Sequence, residues 1–134
     1  MVPSANADLV RRGYEAWNRG DVEGVLTFLD PEIEWHGYTH LPESGALTGR
    51  DEVREWLERF LDAWDQLDID VTELIESGDQ VVALVRFQGR GKGSGVQVEG
   101  GADAHVWTVR DGKIAAVKLY QGTSEALQAI GLRE

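Results

Sequence analysis

The sequence contains no cysteine, which excludes disulfide bonds, thiol nucleophiles and thiolate metal sites. Positive charge is scarce, since 13 Lys and Arg stand against 24 Asp and Glu, and the formal net charge is −11. A surface of this sign repels phosphate backbones and anionic lipid headgroups. We therefore expect neither a nucleic acid nor a membrane as partner.

Long hydrophobic runs are also lacking. No apolar stretch approaches the roughly 20 residues that a transmembrane helix needs, and no basic stretch followed by an apolar one opens the chain. These absences predict a cytoplasmic protein. The 134 residues, 42% of them hydrophobic, are enough for one domain with a core, which we place at residues 1–134.

Hydrophobic spacing predicts three helices in the first half of the chain. Residues 5–18 have a helical period, and Gly20-Asp21 ends this first helix. A short second helix contains Val22 to Leu29, and Asp30-Pro31 ends it. After a strand and a loop at residues 37–47, a Thr48/Asp51 capping box opens the third helix. Its apolar stripe consists of Val53, Trp56, Leu57, Phe60, Leu61 and Trp64.

The second half has the two-residue period of β-strands. Ile69, Val71 and Ile75 are expected on one face of a strand, and turns are expected at Gly78-Asp79 and within residues 110–113. Gly100-Gly101 is expected to interrupt the strand that ends at residue 110. A short helix is expected at residues 124–130. Helices followed by a four-stranded meander predict an α+β fold.

The order of several short motifs resembles the nuclear-transport-factor-2-like superfamily in its SnoaL-like branch. The resemblance covers nearly the whole chain and rests on an aromatic-rich first helix, Gly20-Asp21, Leu26, Leu29-Asp30-Pro31, Trp35, residues 47–51 (LTGRD), residues 105–107 (HVW) and residues 110–114 (RDGKI). It implies a cone-shaped α+β barrel, with three N-terminal helices packed in a strongly curved, mostly antiparallel sheet.

The resemblance also implies a small-molecule-binding protein with an apolar, aromatic-lined pocket at the open end of the cone. Two hypotheses remain open: a cofactor-free isomerase, cyclase or hydrolase of apolar substrates, or a non-catalytic ligand-binding or dimerisation module. Fold alone does not decide between them. The acid–base residues of the related ketosteroid isomerases are not matched, because their positions fall on Gly13, Gly37 and Ala104 or His105.

Aromatic side chains from separate elements are the candidates for lining this pocket. An aromatic stripe on a helix is also typical of a packed core, and that interpretation stays open beside the ligand-binding one. We hold the packing interpretation for Trp64. The candidate ligand-binding residues are Tyr14, Trp17, Trp35, His40, Trp56, Phe60 and Trp107.

His105 and Asp103 are the candidate catalytic residues, because both alternate onto the face of a strand that carries Trp107. A histidine exchanges protons near neutral pH, and an aspartate beside it could keep it charged or oriented. Tyr14 could add a neutral hydrogen-bond donor from the opposite wall. The competing interpretation is that His105 is a core histidine and Asp103 a rim residue.

No cofactor or metal is expected. His36 and His40 have the spacing of a zinc-binding helix, but Gly37 and Pro42 oppose a helix there. We expect the charged residues from Arg50 to Arg59 to form a solvated helix face. A homodimer is predicted, because the opposite face of the late strand carries Ala104, Val106 and Thr108, which would need cover.

Overall fold

The computed structural model describes residues 5–36, 46–91, 93 and 97–121, which form three helices and six strands. In chain order these are α1 (Ala5–Asn18), α2 (Val22–Thr27), β1 (Leu29–His36), β2 (Ala46–Thr48), α3 (Arg50–Asp62), β3 (Trp64–Ser77), β4 (Gln80–Gly91), β5 (Gln97–Arg110) and β6 (Lys113–Gln121). The predicted helix at residues 124–130 and residues 37–45 of the predicted loop lie outside the described residues. No helix in the described ranges is long and apolar enough to cross a membrane.

The six strands form one sheet in the order β2-β1-β6-β5-β4-β3. All neighbours are antiparallel except β1 and β6, which run parallel. The sheet is strongly curved, and the three helices pack against it in a half-barrel, so the α+β prediction is confirmed. The predicted meander is β3 to β6. Strand β2 was not predicted: Leu47, expected in a loop, pairs with Trp35.

Two apolar clusters lie on opposite sides of the sheet. The main core is shared by the helices and the strands, and includes Val10, Leu26, Ile33, Leu57 and Val117. The smaller cluster contains Val82, Ala104 and Val106, with Ile75, Leu84 and Tyr120 packed against it. Ala104 and Val106 are already buried within one chain. Thr108, the third residue of the predicted dimer face, is only half-buried, and the homodimer stays a prediction.

The ends of the short helices differ from those predicted. Asp21 caps α2 as expected, because its Oδ1 accepts a 3.0 Å hydrogen bond from Gly24 N. That helix stops at Thr27, however, and Leu29 already belongs to β1. The Thr48 capping box is wrong: Gly49, with φ of 89°, is the N-cap of α3, and Thr48 N instead donates to Glu52 Oε1 at 2.7 Å.

Bulges account for the two errors in strand pattern. The β3–β4 register shifts between Val71 and Glu73, so Leu74 packs against the main core and Ile75 against the smaller cluster. An inserted residue of this kind reverses the alternation that follows it. In the same way, the expected break at Gly100-Gly101 is a bulge within a continuous β5, which leaves Asp103 and the residues after it in regular register with β4.

Two side chains tie helices to the sheet through backbone groups. Asn18 Nδ2 donates to Ile69 O, and Ile69 N donates to Asn18 Oδ1, both at 2.8 Å. Arg50 Nε donates to Leu29 O at 2.9 Å. The prediction of a wholly solvated charged face from Arg50 onward is therefore wrong at its first residue, which holds the start of β1 against α3.

Candidate functional site

Three polar side chains meet between α1 and β5. The hydroxyl oxygen of Tyr14 lies 2.5 Å from His105 Nδ1, and Trp107 Nε1 donates to the same oxygen at 2.9 Å. The rings of Tyr14 and His105 are nearly parallel with centroids 5.9 Å apart, while Tyr14 meets Trp107 edge to face at 5.5 Å. We call these three residues the polar triad.

Local periodicity places each member of the polar triad. Val10, Tyr14 and Trp17 lie on one face of α1, four and three residues apart, and all are buried. His105 and Trp107 alternate onto the same side of β5. Their Cα partners in the neighbouring strand β4 are Ala83 and Val81, both buried in the main core. The triad therefore projects from the sheet toward α1.

Hydrogen-bond chemistry limits the proton arrangement in the polar triad. An indole N–H can only donate, so Tyr14 Oη accepts from Trp107. The direction of the Tyr14–His105 hydrogen bond follows from the tautomer of His105. If the imidazole carries its proton on Nε2, Nδ1 accepts from the tyrosine hydroxyl and the donors form a continuous chain from indole to imidazole.

His105 is buried, with 7% of its surface exposed. Desolvation on burial disfavours the charged imidazolium and lowers the pKa of His105 to about 4. The imidazole is therefore neutral at pH 7. The burial of His105 opposes the expectation that Asp103 keeps the imidazole charged, and the alternative, that Asp103 orients the imidazole, stays a prediction.

Asp103 lies two residues before His105 on β5 and is also buried. Its Cα pairs with Val85 in β4 and with Gln121 in β6. The regular alternation after the β5 bulge puts the Asp103 and His105 side chains on the same face of the strand. The two predicted acid–base candidates are thus neighbours on β5, and Tyr14 contacts His105 from α1.

Next to the polar triad lies a group of five aromatic rings, which we call the aromatic cluster. Trp17 and Trp35 are nearly parallel, with centroids 5.9 Å apart, and Trp56 contacts both. Phe60 stacks on Trp56 at 5.0 Å. The cluster joins the triad where Trp35 meets Trp107 at 5.8 Å, and its members are Trp17, Trp35, Trp56, Phe60 and Trp64.

The structure brings the predicted ligand-binding residues together, except His40, which lies outside the described residues. Some of these side chains are buried more deeply than residues that line the open end of the cone would be. Trp35 is 1% exposed and Trp17 7% exposed, so both belong to the core. Trp56 and Phe60 on α3 are half-buried and form the outer part of the cluster.

Two polar atoms within the aromatic cluster lack a partner. Among the side chains that the structure describes, the indole nitrogens Trp17 Nε1 and Trp35 Nε1 are buried and make no hydrogen bond. Buried polar groups are nearly always paired in folded proteins, so an unpaired donor calls for an explanation. Sequence reasoning treated these indoles only as apolar surface and missed their donors.

Other features of the site add little polar chemistry. Within the described ranges no group of three or more His, Asp or Glu side chains could hold a metal ion. His36 Nε2 lies 3.7 Å from Glu34 Oε1 near the surface. The structural role of Arg50 was not predicted. A cation in the first turn of a helix is unfavourable because of the helix dipole, and its presence there is a signal that the side chain binds another group.

Comparison with known proteins identifies the fold family. Residues 10–117 match the model of the SnoaL-like domain. No curated protein matches the chain. Many solved structures share the fold, among them an NTF2-like protein of unknown function from Burkholderia pseudomallei K96243. It has 26% identity over 96% of this chain and 99% of that chain, with a TM-score of 0.77.

Two further structures show the same extent of similarity. An NTF2-like protein from Burkholderia thailandensis E264 has 28% identity over 96% of this chain and 98% of that chain, with a TM-score of 0.75. TerC, co-crystallised with polyporic acid, has 23% identity over 95% of this chain and 98% of that chain, with a TM-score of 0.76. The family match spans most of the sequence, and this chain belongs to the SnoaL-like domain family.

Proposed function

We propose that this protein binds a planar, largely apolar small molecule at the aromatic cluster, with a polar group of the ligand directed toward the polar triad. The observation that carries the proposal is the contact between the two: Trp35 of the cluster lies edge to face with Trp107 of the triad, with centroids 5.8 Å apart. A continuous aromatic surface therefore leads to three hydrogen-bonding groups.

The chemistry of the residues supports a ring compound as ligand. Aromatic side chains favour stacked or edge-to-face contacts with other rings, and Trp56 and Phe60 already stack in this way. These two side chains are half-buried, so part of their surface is open to a ligand. A relative of the same fold, TerC, was co-crystallised with polyporic acid, a precedent for binding a small molecule.

Native mass spectrometry tests this function directly. The purified protein is mixed with planar ring compounds such as fluorene and, as a control, with unbranched aliphatic compounds of similar hydrophobicity. We expect a one-to-one complex with the rings and much weaker binding of the aliphatic chains. Equal binding of both sets, or of neither, would contradict the proposal.

A second candidate function is proton transfer on the bound ligand, without a cofactor. The short Tyr14–His105 hydrogen bond favours it, because a neutral imidazole can accept a proton and a tyrosine hydroxyl can donate one. The low pKa of His105 opposes it, because a base that binds protons weakly at pH 7 is a poor match for its task. Binding without catalysis is therefore the first proposal.

Deuterium exchange separates the two candidates. A bound ring ketone with an exchangeable hydrogen next to its carbonyl is incubated in heavy water with the wild type, His105→Ala or His105→Gln. If His105 is the base, both variants slow the exchange by at least about 100-fold, the lower end of the usual contribution of acid–base groups. If both variants exchange at the wild-type rate while binding normally, His105 is structural.

A further inference from the structure

We propose that the buried indole N–H groups of Trp17 and Trp35 form a donor site that binds carbonyl oxygens of an uncharged, planar ring compound. The inference rests on the proposed function, ligand binding at the aromatic cluster, and adds a second polar group of the ligand to the one directed toward the polar triad. It uses two donors that neither the packing of the core nor the polar triad employs.

The two unpaired donors are costly to bury. In the unfolded chain both indole N–H groups bond to water, and in the folded chain that bond is lost without replacement. A phenylalanine at either position would supply an apolar ring without this loss. The presence of two such indoles in one stack is therefore explained by an acceptor that arrives from outside the chain.

The two indole rings that carry the unpaired donors stack on each other. Trp17 projects from α1 and Trp35 from β1, and their rings are nearly parallel, 17° apart in plane. The ring of Trp56, which is half-buried, contacts both. Its centroid lies 6.3 Å from that of Trp17 and 5.6 Å from that of Trp35. The Trp56 ring therefore touches both donor-bearing side chains, and a ligand that takes its place is in contact with both indoles.

Water is a poorer explanation for the same site. A buried water molecule needs two to four polar partners, including acceptors for its own hydrogens. The two indoles offer only donors. The other rings in contact with them, Trp56, Phe60 and Trp107, are apolar or also donate. An oxygen without hydrogens, such as a carbonyl, satisfies the donors and leaves nothing unpaired.

The charge of the site selects an uncharged acceptor. The aromatic rings around the donors carry no positive charge to balance a carboxylate or phosphate, and burying an uncompensated anion is costly. The formal net charge of −11 also repels anions from the surface. A ketone or quinone carbonyl on a flat ring system is an acceptor that has neither a hydrogen nor a charge.

The experiment compares 9-fluorenone with fluorene, two planar molecules of similar shape of which only the first has a carbonyl oxygen. Proton–nitrogen spectra of ¹⁵N-labelled protein resolve the indole N–H signals of its five tryptophans. Trp17→Phe and Trp35→Phe assign two of them. We expect fluorenone to move the Trp17 and Trp35 signals downfield, as hydrogen bonding does, and fluorene to move them less.

Affinities provide the second readout. Losing one neutral hydrogen bond should lower the ratio of fluorenone affinity to fluorene affinity by about twofold to tenfold in Trp17→Phe and in Trp35→Phe. The matched control is Tyr120→Phe, which removes one hydroxyl on the smaller cluster across the sheet, away from the proposed site. It should leave both affinities unchanged.

The outcomes separate this inference from the proposed function. If both compounds bind with equal affinity and move the indole signals equally, the donor assignment is overturned and ring binding stands. If neither compound binds, the inference and the proposed function both fail. The wild-type spectra decide even where a variant does not fold.

Discussion

Tyr14 Oη and His105 Nδ1 lie 2.5 Å apart, although 91 positions separate the two residues in the chain. Both side chains are buried, and the contact joins the first helix to the fifth strand. A buried polar contact between such distant residues forms only when the helix is seated on the sheet. The polar triad therefore reports on correct packing of the domain as well as on ligand chemistry.

We expect Tyr14→Phe to destabilise the protein by about 1–3 kcal/mol, because it removes the oxygen that serves His105 Nδ1 and Trp107 Nε1 and leaves both buried without it. Urea unfolding followed by circular dichroism measures the change. Tyr120→Phe, on the smaller cluster across the sheet, is the matched control and should change the free energy of unfolding by less than about 0.5 kcal/mol. Equal effects would show that the triad hydrogen bonds contribute nothing.

Stability should fall on acidification because of His105. Its folded pKa, about 4, lies below the unfolded value of 6.5, so the unfolded state binds more protons between these values. The contribution of His105 to the free energy of unfolding is fully present above pH 6.5 and is lost as the pH falls toward 4. At about 1.4 kcal/mol per pKa unit, the loss amounts to roughly 3 kcal/mol.

The measurement is urea unfolding at several pH values between 7 and 4, for the wild type and His105→Gln. Acidification also protonates carboxylates in both proteins, so the informative quantity is the difference between the wild type and the variant. We expect the wild type to lose more stability than the variant over this range. Parallel curves would mean that His105 keeps an ordinary pKa.

Trp56→Ala should abolish most of the tryptophan emission change caused by hydrophobic ligands, because Trp56 contacts both buried indoles and is half-buried. Titrations with fluorene, monitored by emission, test this prediction. Truncating a large aromatic residue in a core costs roughly 3–5 kcal/mol, and a half-buried ring should cost less. Unfolding of the variant, with no ligand effect in the wild type, would favour pure packing.

Glycine substitutions provide a matched pair for the packing of the aromatic cluster. A Cβ at Gly89 would lie 2.6 Å from two carbon atoms of the Trp64 ring, so Gly89→Ala should destabilise the protein by about 1–3 kcal/mol. Gly13 in α1 has nothing within 4 Å of such a Cβ, and Gly13→Ala should stabilise by about 0.5–1 kcal/mol. Thermal unfolding of both variants checks the opposite signs.

The predicted homodimer is tested by light scattering of the purified protein at micromolar concentration. We expect twice the mass of the 134-residue chain. Thr108→Arg is a useful variant, because this half-buried residue lies on the predicted dimer face and a charge there should shift the dimer toward monomer. The monomer mass for the wild type would refute the prediction.

Much of the fold could be predicted from periodicity and turn chemistry. The spacing of Val10, Tyr14 and Trp17 gives α1 its inner face as observed. The tight turn between β5 and β6 has Asp111 and Gly112 at φ of 53° and 75°, the left-handed conformations that such residues adopt readily. These features are local, so a short window of sequence contains the information that determines them.

The errors arise where contacts distant in the chain decide. Nothing near Thr72 marks the bulge that turns Ile75 to the opposite side of the sheet from Ile69, because the bulge is defined by pairing with β4. Periodicity likewise places Trp35 on an inward face but does not give its depth, and the ring is core rather than rim. The candidate site was predictable as a set of residues, whereas its hydrogen bonds and unpaired donors were not.

The amide of Asn18 has one more consequence. β3 is the last strand of the sheet on its side, and the N–H and C=O of Ile69 both bond to Asn18 rather than to another strand. The side chain imitates a peptide group and occupies the outermost pairing positions of the sheet at that point. Because free strand edges recruit further strands, this single amide closes one site of edge-to-edge aggregation.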